Sequence, residues 1–173
     1  MKPSFMKSKV VLFLICSSIL TGIIACDKQQ GDNHIIPYVP VRLEIELYKA
    51  DYSELKKEYS PIYFSHNQNG NPLGYLDNGV IVMSAFNEYV CYDATCTRCL
   101  APQAIVEVFK DNSIGTCKAC KTEFLLLTGQ PLNKENEDNA SDNNKAQSNS
   151  GEKIYPLKSY PASKRGEVVV VSN

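Results

Sequence analysis

An apolar run opens the chain over residues 10–20, and Ser17, Ser18, Thr21 and Gly22 interrupt it. A helix needs about 20 apolar residues to span a bilayer, so this run is too short for one. Farther on the pattern changes period. Val41, Leu43, Ile45 and Leu47 share one face of an alternating stretch, which predicts a strand over residues 39–47. Residues 51–59 are polar and suit a helical turn or a loop, and residues 61–64 predict a short strand. Turn formers crowd residues 67–74. Residues 79–86 and 88–92, joined around Asn87, predict a hairpin. A further strand is predicted over 104–109, closed by Lys110, Asp111 and Asn112, and an apolar stretch over 123–127 runs into a turn at Gly129.

Residues 133–153 hold almost no apolar side chain. Such a segment cannot bury enough surface to offset its ordering entropy, so it reads as a long disordered insertion. Folded chain is expected to resume at Ile154. It is expected to finish in a strand over 167–171 that forms the closing edge of a sheet. Ten tyrosines and many Val and Ile agree with short strands. The predicted fold is all-β: a small antiparallel domain of stacked short sheets over residues 36–173, with two cysteine-bearing loops. No internal repeat is visible.

Charge alters the reading of the first run. Lys2, Lys7 and Lys9 precede it and no acid accompanies them, which describes a secretory signal peptide over residues 1–25. Met6 offers a second start that leaves this signal complete. Ile23, Ile24, Ala25 and Cys26 resemble the lipobox of bacterial lipoproteins, in which the cysteine is acylated and becomes the new N-terminus. That resemblance implies a cut before Cys26 and a lipid anchor of several acyl chains, since one chain alone holds weakly. Residues 26–35 then form a polar tether. The expected location is the cell envelope, on the outer membrane, with the domain facing the periplasm or the exterior. Removing residues 1–25 leaves 148 residues and moves the formal charge from −1 to −4. A mildly acidic chain without a basic stripe excludes nucleic acid as a partner.

Five cysteines remain in the predicted domain: Cys91, Cys96, Cys99, Cys117 and Cys120. Cys91 sits in an apolar strand pattern and reads as a core residue. The other four form two Cys-x-x-Cys pairs separated by 17 residues. That spacing is a recognised four-thiolate metal pattern, because each tight turn points two sulfurs at one centre and the spacer brings the turns face to face. Four thiolates suit tetrahedral zinc or iron in an iron–sulfur cluster. Export favours a different use of the same residues, as disulfides stapling two loops without any cofactor. A redox Cys-x-x-Cys normally opens a helix in an α/β fold, and no such pattern is present. His34 in the tether and His66 beside a turn read as solvated surface residues.

From Phe86 to the C-terminus the chain resembles Rieske-type ferredoxin domains. Residues 88–93 match the strand before the first ligand loop, and Cys117-Lys-Ala-Cys120-Lys-Thr-Glu-Phe124 matches the second loop. Thr128-Gly-Gln-Pro-Leu132, then Tyr155-Pro-Leu-Lys-Ser-Tyr160 and residues 166–171, match the turn and last strands. The resemblance implies a Rieske-like β domain and places Cys96 and Cys117 at the family's cysteine positions. Its histidine positions fall on Arg98, with Cys99 one residue beyond, and on Cys120, so the usual two-histidine iron site is lost. The insertion falls where the family's proline-rich loop covers its cluster.

Two functions follow. One is a membrane-anchored domain binding metal or an iron–sulfur centre through Cys96, Cys99, Cys117 and Cys120, with electron transfer to a redox partner. The other is a metal-free, disulfide-stapled scaffold that meets another envelope protein. A four-cysteine cluster would have a lower potential than a histidine-ligated one. No twin-arginine export signal is present to accompany a preassembled cluster. Neither a Ser/His/Asp set nor a glycine-rich phosphate loop occurs, so no catalytic residue is expected and an enzyme acting by itself is the weakest reading.

Overall fold

A computed structural model describes residues 35–132 and 154–173. The predicted signal peptide, Cys26, the tether up to His34 and the predicted insertion 133–153 lie outside the described residues. In chain order, β1 (Arg42–Glu46) leads through a 3-10 helix (Ala50–Lys56) to β2 (Ile62–Phe64). A one-turn helix (Tyr75–Asp77) precedes β3 (Val80–Ala85) and β4 (Glu88–Asp93). Then come β5 (Val106–Glu107), β6 (Ile114–Cys117), β7 (Glu123–Leu125) and β8 (Gln130–Leu132). The chain ends in β9 (Ser159–Tyr160), β10 (Ala162–Arg165) and β11 (Val168–Ser172).

These strands make three antiparallel sheets, ordered β1–β11–β10, β2–β3–β4–β9 and β5–β6–β7–β8. All six residues of β3 are buried, so this strand carries an apolar layer on each face. Val80 and Val82 join a cluster with Leu43, Ile45, Val169 and Val171 of the first sheet. Ile81, Met83 and Ala85 point the other way, to Val106, Cys117, Phe124 and Leu126. The middle sheet is thus shared by two cores, and the second core reaches the cysteine loops through Cys96 and Cys117.

The predicted hairpin is present as β3 and β4. Its turn residues, Phe86 (φ 53°) and Asn87 (φ 63°), are both left-handed, as a two-residue type I′ turn requires. Asparagine tolerates that region. Phe86 is helped by its ring, which meets Tyr59 edge-on with centroids 5.9 Å apart.

Other expectations shift. The polar stretch after Ala50 resolves as a 3-10 helix anchored by buried Leu55. The first strand begins at Arg42 rather than residue 39, beyond Pro40, which has no N–H to pair. The stretch 104–109 shrinks to Val106–Glu107, with an isolated bridge between Thr95 and Ile105. The last strand is a correction: β11 is the centre of its sheet, with β1 on one side and β10 on the other. Val169 and Val171 are fully buried, as suits a central position. Among the described residues, no helix is long and apolar enough to cross a membrane.

Candidate metal centre

The first cysteine loop leaves β4 through Asp93, which is fully buried. One Asp93 oxygen accepts the Thr95 N–H at 2.8 Å. The other accepts the Tyr75 N–H and the Tyr160 hydroxyl, each at 2.7 Å. Asn78 clasps the loop from the side. Its Nδ2 donates to Thr95 Oγ1 (3.1 Å) and to the Ala101 carbonyl (3.2 Å), and its Oδ1 accepts the Gln103 N–H at 2.9 Å. Thr97 donates its hydroxyl to the Tyr155 carbonyl at 2.5 Å, joining the loop to the segment beyond residue 153. A buried amide and a buried carboxylate thus fix both ends of a loop that has little secondary structure of its own.

The two Cys-x-x-Cys turns share one design. Leu100 donates its N–H to the Cys96 carbonyl at 3.0 Å, and Lys121 donates its own to the Cys117 carbonyl at 3.0 Å. Both residues are left-handed, with φ of 47° and 59°. Each turn is latched at its start: the Cys96 N–H reaches Ala104 at 2.9 Å, and the Cys117 N–H reaches Thr122 at 2.8 Å. Such a turn lays both of its cysteine sulfurs on one side. Two of them face each other.

The four sulfurs of Cys96, Cys99, Cys117 and Cys120 all lie within 4.8 Å of one another. Across the turns, Cys96 is 3.7 Å from Cys120 and Cys99 is 4.0 Å from Cys117, sulfur to sulfur. A tetrahedral ion with metal–sulfur bonds of about 2.3 Å sets its sulfurs about 3.8 Å apart. All four are free thiols here. Cys96 and Cys117 are buried, whereas Cys99 and Cys120 are half-buried, so the centre faces solvent on one side.

Burial pushes the Cys96 thiol up, against the pull of the Cys99 and Arg98 backbone N–H groups. Burial and the adjacent thiols raise Cys99 to about 12. Burial also raises Cys120, but the Thr122 hydroxyl and N–H and the neighbouring thiols outweigh it and leave Cys120 at about 6. The hydroxyl stands 3.1 Å from the sulfur. Cys120 therefore carries a negative charge more readily than Cys96 or Cys99. A divalent ion would supply the charge the others need to ionise.

The structure brings together all four sequence-derived cysteines. Cys91 stands apart in the other core, and burial followed by the charge of Asp93 pushes its thiol up, as suits a packed residue. His66 is exposed, its Nδ1 3.0 Å from the Ser65 hydroxyl, and is not among the grouped ligands. His34 and Cys26 lie outside the described residues. Sequence reasoning missed the supports: Asn78, Asp93, Thr122, and the left-handed pair Leu100 and Lys121. Asn78-Gly79 is a turn signal, but nothing in it announces contacts 17 to 25 residues away.

No protein-family model and no curated protein matches the chain. Among solved structures it is similar to the ferredoxin of carbazole 1,9a-dioxygenase from Nocardioides aromaticivorans IC177. The two are 18% identical, the match covers 78% of this chain and 97% of that one, and the TM-score is 0.42. It is also similar to a chain from the complex of reduced oxygenase and oxidized ferredoxin in carbazole 1,9a-dioxygenase. There the identity is 16%, the coverage 67% and 82%, and the TM-score 0.40.

Proposed function

We propose that this chain is a lipid-anchored envelope protein whose β domain binds one tetrahedral metal ion through Cys96, Cys99, Cys117 and Cys120. The observation that carries the metal reading is the packing of four sulfurs within 4.8 Å. A two-iron cluster distributes its ligand pairs over separate irons and needs them farther apart, so this spacing suits a single ion better. An all-sulfur tetrahedron favours zinc or iron over harder cations. Zinc itself has no redox chemistry, so it asks of an exported chain only that the four thiolates stay reduced. In that role the ion cross-links two loops that have little secondary structure of their own. Iron on the same four sulfurs would supply a one-electron couple at the half-exposed face, and a redox protein would then be the partner. The anchor rests on the signal and the lipobox around Cys26, and it brings any partner to the membrane surface.

Metal analysis of full-length protein, purified anaerobically with reductant, tests this. One zinc per chain, no visible absorption and four metal-protected thiols are expected. One iron with a red colour keeps the single-ion site and makes it an electron carrier. Two irons with acid-labile sulfide establish the cluster instead. Metal-free protein that shows no reactive thiol when purified in parallel without reductant leaves the disulfide-stapled scaffold. The anchor is tested separately: labelled fatty acid should enter the wild-type chain in cells and fail to enter Cys26→Ser.

A further inference from the structure

Two of the cross-turn sulfur contacts share an asymmetry. Each joins a half-buried cysteine of one turn to a fully buried cysteine of the other: Cys120 to Cys96 at 3.7 Å, and Cys99 to Cys117 at 4.0 Å. In thiol–disulfide exchange the attacking sulfur must reach an external disulfide, while the resolving sulfur only has to reach the attacker. The geometry supplies one of each in both pairs. We propose that the centre is a thiol-modification site, in which a small-molecule disulfide converts the four metal-bound thiolates into two cross-turn disulfides, Cys96–Cys120 and Cys99–Cys117, with release of the ion. This rests on the metal-binding reading above and adds how the same site responds to an oxidising compartment.

The steps balance. Cys120 attacks one sulfur of the external disulfide, forming a mixed disulfide and expelling one thiolate. Cys96 then attacks the Cys120 sulfur, closes the cross-turn bond and expels the second thiolate. Cys99 and Cys117 repeat this with a second disulfide molecule. Four protein thiolates lose four electrons in total, two external disulfides gain them, four solvent protons complete four small thiols, and the divalent ion leaves. Cys120 starts the sequence because it is half-buried, whereas its partner Cys96 is fully buried and beyond the reach of an external disulfide. The product is the stapled scaffold that an exported four-cysteine domain would otherwise form, so the metal-bound and disulfide forms become two states of one site.

The chain makes the pairing readable. Arg98 lies between Cys96 and Cys99, and Lys118 lies between Cys117 and Cys120. Trypsin therefore puts the four site cysteines on four different peptides, with buried Cys91 sharing that of Cys96, where fragmentation of the linked peptide tells the two apart. Metal-loaded full-length protein is titrated with oxidised glutathione, and the freed ion is read with a chromogenic chelator. The trapped product is then mapped by non-reducing peptide mass spectrometry. One ion per chain should be freed as four thiols are lost, with Cys96 peptides linked to Cys120 and Cys99 peptides linked to Cys117. Cys120→Ser should leave the Cys99–Cys117 link and abolish the other. Links within a turn, links joining Cys96 to Cys117, or four thiols and metal retained at excess oxidant overturn the proposal. Stoichiometry before oxidation reports on metal binding alone, so failure to load metal is distinguishable from failure of the pairing.

Discussion

Leu100 and Lys121 hold equivalent places in the two cysteine turns: each follows the second cysteine, each is left-handed, and each donates its N–H to the first cysteine's carbonyl at 3.0 Å. A side chain in that region costs about 1 kcal/mol, which glycine avoids. Both residues are exposed, so little packing depends on them. Lys121→Gly should therefore keep metal binding and leave stability unchanged or raised by up to about 1 kcal/mol. Lys121→Val should cost about 1 to 2 kcal/mol, since branching at Cβ worsens the clash. Thermal melts of the loaded protein check both. Equal losses for glycine and valine would show that the lysine side chain, not the backbone, matters.

Removal of the loop clasp should act on the metal site from a distance. Asn78→Ala deletes bonds to Thr95, Ala101 and Gln103, and it leaves the Gln103 N–H without that acceptor. Losing a buried amide of this kind costs about 3 kcal/mol. The loop of Cys96 and Cys99 should loosen, so a competing chelator should strip the ion at lower concentration. Asn78→Asp keeps the acceptor for Gln103 but cannot donate, and it should fall between alanine and wild type. A variant that melts early yet resists the chelator like wild type refutes the link to the site.

How much of this was legible follows from what each residue touches. The strand of Val41, Leu43, Ile45 and Leu47 was readable because alternation is local, and the hairpin around Asn87 because its turn chemistry is local. The four cysteines were readable because their spacing is itself the chemistry. The place of β11 at the centre of its sheet was not read, since pairing with β1 joins Leu43 to Val171 across nearly the whole chain. The left-handed Leu100 and Lys121 carry no glycine to announce them. Asn78 and Asp93 look like turn and strand-end residues until the fold closes around them.

Asp93 gives the domain a pH signature. Burial pushes its carboxyl up, and the donors Thr95, Tyr160 and Tyr75 pull it back only in part. Cys91 on its own strand, Tyr63 on β2 and Tyr160 on β9 face it, and all three stay neutral at mildly acid pH. The folded chain therefore binds this proton more tightly than the unfolded chain, whose aspartate titrates near about 3.9. Stability from this group is fully present below that value and is lost as pH rises through the folded value. Asp93→Asn cannot titrate. Its amide also aims a donor at the Tyr75 N–H, so the variant should be less stable throughout. The difference between wild-type and variant urea midpoints should shrink as pH rises from 4 to about 7. A constant difference would mean that Asp93 has the same affinity for its proton folded and unfolded.

Gly115, two residues before Cys117 on β6, leaves room for the side chains of Val106 and Leu126. A Cβ there would stand 2.5 Å from Val106 Cγ1 and 3.2 Å from Leu126 Cδ2, and both of those residues are fully buried. The second core has no room to yield, so overpacking should cost about 1 to 3 kcal/mol. The strain has a direction. Val106 pairs with Cys117 in the ladder of β5 and β6, so pushing Val106 away shifts the strand that ends in a ligand. Gly115→Ala should lower both the melting temperature and the chelator concentration needed to strip the metal. Val106→Ala in the same chain makes space for the methyl group and should restore most of the metal retention. Val106→Ala alone should lower stability by opening a cavity while disturbing the ion less than Gly115→Ala does. If the double variant releases metal as readily as Gly115→Ala, the contact between residues 115 and 106 does not position Cys117.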